Sequence, residues 1–496
     1  MSTPVVVKLD PITRIEGHLS VETVVDAGEV KEAHVSGTLF RGLERIIEGH
    51  SPLDVIQLAQ RFCGVCPTAH GLASAQALDM AFGIIPTENG RVIRNLVGGS
   101  NWIQSHLLHF YTLSALDYFP GPYTPPFVPR FEGDYRLPKA LNEELLRHYI
   151  QALSMRLKAH ELSAVFSGKM PHSASIVPGG VTIQPTVDKV TTFLWRLREL
   201  RDFIDNVYLP DVIAVARVYQ DGLALGNGPR NMLTCGSYDL TADADVTKRR
   251  RLLRMGRFVN GQLENLDPAK ITEEVRHSWY TDTGPTPPSA GRTVAVPGKK
   301  GAYSWIKAPR YEGEVYEVGP SARVLCTSLS GESPAMTAIT NQVLSEVNAG
   351  TDCLHSTLGR HLARAIETKF VADAMSEWIL EFKLGEPVCA EFKLPDQGSG
   401  FGLWCAPRGA LGHWVEIDKG KVSRYQAVVP TTWNCSPRDD RDQPGPLEMA
   451  LVGARVRDTD NPIELLRIVH SYDPCVACAI HVIDAKGNDK ARFRAC

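Results

Sequence analysis

Apolar residues recur three and four positions apart along several long stretches of the chain, which is the spacing of an amphipathic or buried α-helix. Several of these stretches exceed twenty residues, so the pattern predicts a bundle of long core helices. The stretches are LDVIQLAQRF (residues 53–62), GLASAQALDMAF (71–82), RVIRNLVGGSNWIQSHLLHFYTLSALDYF (91–119), KALNEELLRHYIQALSMRLKAHELSAVF (139–166), and the segments 186–216 and 336–385.

Two other segments alternate apolar and polar residues around a short turn. They are LSVETVVDAGEVKEAHVSGTLF (19–40) and GHWVEIDKGKVSRYQAVVP (412–430), and they predict an N-terminal and a C-terminal β-hairpin. Between Cys235 and Tyr311 the pattern weakens into Gly, Pro and charged residues, which predicts an irregular or short-stranded region. Because no repeat or linker is evident, we expect one large domain that is mainly α with an α+β periphery.

Composition narrows the classes of partner. The chain has 496 residues, 43% of them hydrophobic and 22% charged, and its formal net charge is -3. A chain so nearly neutral is a poor match for nucleic acid or an anionic membrane surface. The first residues show no basic segment followed by an apolar one, and no later apolar run is long enough to cross a bilayer. We therefore expect contact with a membrane only through a partner.

Four of the eleven cysteines form two C-x-x-C motifs, RFCGVCPTAH with Cys63 and Cys66, and DPCVACAIH with Cys475 and Cys478. This spacing places two sulfurs on one side of a turn, and two such pairs can enclose one metal. The pairs lie roughly four hundred residues apart, whereas a local zinc module separates its pairs by about 12 to 20 residues. A metal site would therefore be closed by the whole domain.

The motifs alone leave several chemistries open. Each pair taken by itself is compatible with structural zinc or with a thiol redox pair, and together they could hold an iron–sulfur cluster, nickel, copper(I) or zinc. A c-type haem requires a histidine directly after the second cysteine, and His481 follows two residues too late.

The sequence around the cysteines resembles the large, catalytic subunit of nickel–iron hydrogenases. The resemblance rests on DPITRIEGHLSVE, LFRGLERIIEGHSPLDV and both cysteine motifs, and it continues through SGKMPH, KAPRYEG, VGPSAR, GRHLARAIE, APRGALGHW and VPTTWNCSPRD. It covers the whole chain and is closest to the periplasmic uptake type and its selenium-containing branch. Many relatives carry an acid where this chain has Ser105, and the selenium-containing branch carries selenocysteine where this chain has Cys475.

The resemblance implies a reaction and the residues that carry it out. Dihydrogen would be cleaved reversibly and heterolytically to protons and electrons at a nickel–iron centre. Cys63, Cys66, Cys475 and Cys478 would bind nickel, while Cys66 and Cys478 would also bridge to an iron with carbonyl and cyanide ligands. Cys475 would be the first base, because metal coordination keeps a thiolate deprotonated.

Further side chains would serve this centre. Glu16 matches the proton-relay glutamate and Arg408 the arginine over the active site; the alternatives are an exposed hairpin carboxylate and a surface salt bridge. His70 would donate to a bridging sulfur, or else be an ordinary core histidine. Thr431 would reach a cyanide, and Asp473 would lie beside nickel or cap a turn.

A second metal site is implied by Glu44, the backbone oxygen of Ala427, and His481. Oxygen and imidazole ligands suit magnesium or a second iron, with water completing the shell.

The charged segment after His481 is implied to be a propeptide. Burying its unpaired charges beside the metal site would be costly, and in the resembling family a maturation protease cuts after this histidine. We therefore expect a mature domain of residues 1–481, cleavage between His481 and Val482, and removal of residues 482–496. A permanently solvated tail is the alternative. Nickel-insertion factors would act before the cut.

All four paired cysteines are assigned to one centre, so the electrons require a partner. The resemblance implies a heterodimer with a small iron–sulfur subunit, exported with it to the periplasm, with the cytoplasm as the alternative compartment. Two rival classes remain at this point, a structural zinc protein and an electron-transfer subunit with a cubane cluster.

Overall fold

A computed structural model describes residues 4–125, 127–128 and 133–479. Helices are the most abundant regular elements of the described chain, and the longest of them pack against one another. The α-helices are α1 (Leu43–Ile47), α2 (Val55–Ala59), α3 (Pro67–Phe82), α4 (Glu88–Leu107), α5 (Lys139–Ser167), α6 (Val187–Phe203), α7 (Leu209–Val218), α8 (Pro320–Leu329), α9 (Pro334–Glu346), α10 (Thr357–Trp378), α11 (Pro430–Asn434), α12 (Pro446–Leu451), α13 (Ile463–Ser471) and α14 (Val476–Ala479).

The predicted helical bundle is present at the centre of the molecule. Helix α4 packs on α5 and α10, α5 packs on α6, and α10 also contacts α7, α8 and α9. Every residue of α4 from Asn89 to Leu107 is buried, as is most of α10. Helices that are buried on all sides have no solvent-exposed face, and they must lie in the core of a large domain. The bundle is therefore the scaffold on which the other elements rest.

The strands form small sheets around this bundle. They are β1 (Val5–Leu9), β2 (Leu19–Asp26), β3 (Glu29–Gly37), β4 (Ile176–Val177), β5 (Gly180–Val181), β6 (Met232–Asp239), β7 (Arg251–Val259), β8 (Gln262–Glu264), β9 (Ile271–Glu274), β10 (Ala308–Tyr311), β11 (Glu317–Val318), β12 (Gln397–Leu403), β13 (Gly412–Asp418) and β14 (Lys421–Val428). The sheets have the orders β1-β2-β3, β11-β6-β7-β8, β12-β13-β14, β9-β10 and β4-β5. All pairings are antiparallel except that of β11 with β6.

The structure differs from the sequence patterns in three places. Each predicted hairpin, now β2–β3 and β13–β14, has a third strand beside it, β1 or β12. The region around and after Cys235 contains the regular strands β6 and β7. The sequence pattern did not predict β6, because every position of this strand is buried and its residues therefore do not alternate between apolar and polar. The stretch 186–216 is divided into α6 and α7 by a wide turn at Ile204–Tyr208, before Pro210, which has no N–H to donate.

Helix α3 and strand β12 are held unusually close together. Gly398, Gly400 and Gly402 alternate along β12, and a Cβ at each would clash with the backbone carbonyl of Ala81, Ala77 or Ala73 on α3. Only a strand face without side chains permits this approach. The contact fixes the position of α3, and with it the cysteine motif at the helix N-terminus.

Candidate metal centre

Three of the four motif cysteines lie together in the core. Cys63 ends a short 3-10 turn, Cys66 caps the N-terminus of α3, and Cys475 immediately precedes α14. All three are buried, and their Sγ atoms lie within 4.8 Å of one another. The Sγ atoms of Cys63 and Cys475 are 3.2 Å apart. Cys478 lies in α14, but its side chain is outside the described part of the structure.

The chain near residue 16 and the chain near residue 475 are directly interlocked. The backbone N–H of Glu16 donates to the carbonyl oxygen of Pro474 at 3.2 Å, and that of Val476 donates to the carbonyl of Glu16 at 2.7 Å. Gly17 has φ +85°, and a Cβ there would lie 2.5 Å from the backbone nitrogen of Ala477. A glycine is therefore required for this contact, which holds the second cysteine motif beside Glu16.

Backbone N–H groups donate to the Cys63 sulfur, and a hydroxyl accepts from the backbone of Cys475. The N–H groups of Val65 and Cys66 donate to Cys63 Sγ at 3.2 and 3.3 Å. The N–H of Cys475 donates to Thr431 Oγ1 at 2.9 Å, so Thr431 on α11 fixes the backbone of the second motif. Hydrogen-bond donors around a sulfur favour its thiolate form, which is the form that binds a metal.

Glu16 contacts the cluster through its side chain. Its Oε2 lies 3.2 Å from Cys475 Sγ and accepts the N–H of Ala477 at 3.1 Å. Burial and the charge of Cys63 raise the pKa of Glu16 to about 7, although the hydrogen bond from Cys475 and the charge of Arg408 oppose the shift. Glu16 is thus a partly buried carboxyl beside a sulfur and not an exposed hairpin residue.

Arg408 is buried and held by one partner. Its Nε donates to the backbone oxygen of Asp473, and its Nη2 donates to Asp473 Oδ1, both at 2.9 Å. Burial lowers the pKa of Arg408, but Asp473 and the three cysteines raise it more strongly, so the pKa lies well above its usual value. The surface salt bridge considered from the sequence is therefore wrong. Asp473 itself adopts φ +53°.

One guanidinium nitrogen of Arg408 has no hydrogen-bond partner among the described residues. Within the described residues, the buried Nη1 makes no hydrogen bond. An unsatisfied buried donor is costly unless a ligand accepts from it. The cluster of soft sulfurs fits a thiolate-bound metal such as nickel, and the available donor fits an anionic or polar ligand on that metal.

His70 belongs to a chain of polar groups that the sequence did not reveal. Its Nδ1 lies 3.1 Å from His413 Nε2, and His413 Nδ1 lies 2.5 Å from the hydroxyl of Tyr425. All three side chains are buried. Burial is the main reason that the pKa of Tyr425 lies above its usual value, so this hydroxyl remains a donor. His413 lies within the APRGALGHW block, but only the fold brings it to His70.

Two of the three residues expected at the second metal site, Glu44 and Ala427, are adjacent. Oε1 of Glu44 accepts the backbone N–H of Ala427 at 2.9 Å, and the hydroxyl of Thr293 donates to Oε2. Lys307 Nζ lies 3.9 Å from the same oxygen. Glu44 is fully buried. Its hydrogen bond to Ala427 is with the backbone N–H, whereas the predicted metal ligand is the backbone oxygen of Ala427. His481 and Val482 lie outside the described residues.

Comparison with known proteins identifies the family. The nickel-dependent hydrogenase model matches residues 41–120 and 121–481, and a HoxL-like model matches residues 6–38. The periplasmic [NiFeSe] hydrogenase large subunit of Desulfomicrobium baculatum is 40% identical, over 98% of this chain and 96% of the relative. The quinone-reactive Ni/Fe-hydrogenase large chain of Wolinella succinogenes is 33% identical, over 98% and 97%.

A solved structure shares the fold. The reduced Ni-Fe-Se hydrogenase from D. vulgaris Hildenborough superposes with a TM-score of 0.92 at 41% identity, covering 97% of this chain and all of that one. The chain belongs to the nickel-dependent hydrogenase family, whose enzymes are oxidoreductases acting on hydrogen. The resemblance drawn from the sequence is thereby confirmed. Within the described ranges, no helix combines the length and apolar character needed to span a bilayer.

Proposed function

We propose that this chain cleaves dihydrogen reversibly to two protons and two electrons at a nickel–iron centre held by Cys63, Cys66, Cys475 and Cys478. The observation that carries the proposal is the convergence of three buried cysteines from the two motifs, with Sγ atoms within 4.8 Å. When bound, the metals polarise dihydrogen and take up its electrons. The remaining steps belong to side chains of this chain.

The proton leaves through Cys475 and Glu16. The contact of 3.2 Å between Cys475 Sγ and Glu16 Oε2 is within reach of direct transfer. A thiolate at Cys475 accepts the proton, and the carboxylate of Glu16 takes it from sulfur. Because Glu16 is more exposed than the cysteine, this transfer moves the proton from the core towards solvent.

Arg408 and its neighbours would hold the polar ligands of the iron. Nη1 of Arg408, which has no partner among the described residues, and the hydroxyl of Thr431 are the donors we assign to the cyanides, while His70 would donate to one of the cysteine sulfurs shared by the two metals. Asp473 holds the guanidinium in place at two points. Carbonyl and cyanide ligands are proposed from family membership together with this unsatisfied donor.

The second site is proposed to hold magnesium or iron through Glu44, the carbonyl oxygen of Ala427, and His481. The support is a buried carboxylate already in contact with the backbone of Ala427. Removal of residues 482–496 by a maturation protease would leave His481 at the chain end. Mass spectrometry of active protein tests this directly, since a chain that is active and still ends at Cys496 contradicts it.

The electrons pass to a small iron–sulfur subunit, and the complex is proposed to work in the periplasm. Support comes from the relative named a periplasmic large subunit and from the assignment of all paired cysteines to one centre. Peptide mapping of a purified heterodimer and fractionation of cells test the partner and the compartment.

Metal analysis and infrared spectroscopy test the function itself. The purified complex is expected to contain nickel and iron, to show bands of bound carbonyl and cyanide, and to exchange hydrogen isotopes between dihydrogen and water. Zinc without nickel would favour the structural zinc protein, and iron without nickel would favour a cluster protein; either result with full activity overturns the proposal.

A further inference from the structure

A second close pair of sulfurs lies outside the candidate metal centre. Cys235 on β6 and Cys405, two residues after β12, have Sγ atoms 3.2 Å apart. Both residues are buried. The backbone N–H of Cys405 donates to the carbonyl of Gly236 at 3.0 Å, so the two chain segments are already joined beside the sulfurs. Neither cysteine belongs to a C-x-x-C motif.

The surroundings of Cys405 favour its thiolate. The hydroxyl of Thr234 lies 3.3 Å from its Sγ. Burial raises the pKa of Cys405, but hydrogen bonding from Cys235, the charge of Arg323 and the hydroxyl of Thr234 lower it to about 6. Burial raises the pKa of Cys235 well above its usual value. Of the two sulfurs, Cys405 is therefore the more readily deprotonated, and a low-pKa thiol beside a second thiol is the combination found in redox-active cysteine pairs.

A small cavity lies on one side of the pair. It has a volume of about 10 Å³, borders Cys235 and is otherwise lined by apolar side chains, among them Leu411 and Trp433. A space of this size holds one water-sized molecule. Packing is therefore incomplete beside Cys235.

We propose that Cys235 and Cys405 form a peroxide-oxidised thiol pair. The thiolate of Cys405 attacks one oxygen of hydrogen peroxide, the O–O bond breaks, and hydroxide leaves and takes up a proton to become water. The resulting sulfenic acid reacts with the Cys235 sulfur, which loses its proton as the S–S bond forms and a second water leaves. Two thiols thus lose two electrons in all, and one peroxide becomes two waters.

The pair lies at the base of the turn that carries Arg408. Ala406 and Gly409 exchange backbone hydrogen bonds of 2.8 and 2.9 Å. Arg323 donates to the carbonyl oxygens of Ala406 and Pro407 at 3.0 and 2.6 Å. A disulfide requires an S–S distance of about 2.05 Å, so oxidation draws the start of this turn towards β6. Arg408, three residues further on, would then shift relative to the metal centre.

The experiment uses the complete complex, purified under dithiol without oxygen. Aliquots receive increasing hydrogen peroxide, free thiols are then alkylated in denaturant, and the protein is digested without reduction. We expect a cross-linked peptide pair containing Cys235 and Cys405, two hydrogens lighter than the separate peptides and released by a phosphine reductant. If both cysteines remain fully alkylated at peroxide doses that oxidise other thiols, the proposal is overturned.

Two variants sharpen the result. Cys235→Ser removes the second thiol, so Cys405 should retain one added oxygen that reacts with dimedone. Cys326→Ser is the matched control, because burial raises the pKa of this neighbouring core thiol to about 12. It should leave the cross-link unchanged. If Cys235→Ser does not fold, the wild-type peptide masses still decide the question.

The readout is independent of hydrogenase activity. If the metal analysis finds no nickel, the cross-link can still be measured. If the cross-link does not form, the proposed function is unaffected. The coupling to Arg408 is tested by infrared spectra before and after oxidation. A cyanide band that shifts with cross-link formation supports the coupling, whereas unchanged bands in fully cross-linked protein contradict it.

Discussion

Cys475 is the residue on which most of the local structure converges. Its N–H donates to Thr431, and its sulfur contacts both Cys63 and Glu16. Three separate parts of the chain therefore determine where a single sulfur lies. Because several contacts fix this residue, removing one of them leaves the others in place. We therefore expect substitutions around Cys475 to lower activity more than they lower stability.

Glu16→Gln tests the proton route. The amide keeps the size of the carboxyl group but cannot accept a proton from Cys475, so turnover should fall at least about 100-fold, within the range of general acid–base catalysis. Nickel and iron content should not change. Isotope exchange and metal analysis on the purified complex measure both quantities. Glu22→Gln, at an exposed position on β2, is the control; equal activity in both variants would contradict the role of Glu16.

Tyr425→Phe tests the chain of polar groups behind His70. Loss of the hydroxyl leaves His413 Nδ1 without its partner of 2.5 Å, and His70 loses its fixed orientation. Outer partners of metal ligands typically change activity by about 10- to 100-fold, and we expect a loss near the lower figure. Metal content should persist while the infrared bands shift. Unshifted bands with lowered stability would indicate a purely structural hydroxyl.

The sequence predicted the cluster of cysteines better than the residues around it. The cysteine motifs are recognisable because one ligand type recurs at a fixed spacing. His413 and Tyr425 have no such signal. They lie on β13 and β14, and His413 contacts His70 on α3 only because the β12-β13-β14 sheet packs on that helix. Cys235 and Cys405 could not be predicted as a pair for the same reason, because they are far apart in the sequence and only the fold brings them together.

Among the secondary-structure elements, α3 and β12 have the most direct effect on the centre. The glycine face of β12 lies against the helix backbone, and Cys66 caps that helix. The spacing of apolar residues predicted the long helices and the two β-hairpins, but not this contact, because the alternating glycines of QGSGFGL resemble a weak strand or a loop. The break between α9 and α10 was also missed. There, Asn348 adopts φ +52° and the chain continues as a 3-10 turn.

Gly402→Ala tests the contact between these two elements. The added Cβ would clash with the carbonyl of Ala73, and relieving such a clash costs about 1–3 kcal/mol. The thermal unfolding midpoint should fall, and nickel content should fall with it because α3 positions Cys66. Gly350→Ala is the control, since a Cβ there meets no atom within 4 Å. A midpoint that falls no further than in the control would contradict the close packing.

At the scale of the whole molecule, the buried carboxyl group of Glu448 joins distant parts of the chain. Glu448 on α12 accepts the N–H of Val35 on β3 at 2.9 Å and the hydroxyl of Tyr303 at 2.8 Å. The N-terminal sheet, the central region and the C-terminal helices are thereby joined at one carboxyl group. Burial raises the pKa of Glu448 to about 7.

The pH dependence of stability should reflect Glu448. A pKa raised in the folded state means that folding favours the protonated carboxyl. The stabilisation is complete below the ordinary value of 4.5 and is lost as pH rises towards about 7. At about 1.4 kcal/mol per pKa unit, the loss is roughly 3 kcal/mol. Glu448→Gln should remove this part of the pH dependence.

Unfolding midpoints at about pH 5 and about pH 8 measure this difference between Glu448→Gln and wild type. The exposed Glu314→Gln serves as the control. A variant whose midpoint changes with pH as much as that of the wild type would show that Glu448 does not contribute in the way described.

The bridge between Glu16 and Cys475 spans 459 positions of sequence, and it has a consequence for biosynthesis. While a ribosome is still translating, the segment that supplies Cys63 and Cys66 has nothing to close against, and a nascent chain cannot present the complete set of sulfurs. Nickel loading must therefore follow translation, and pulse-labelled chains still attached to ribosomes should carry no nickel.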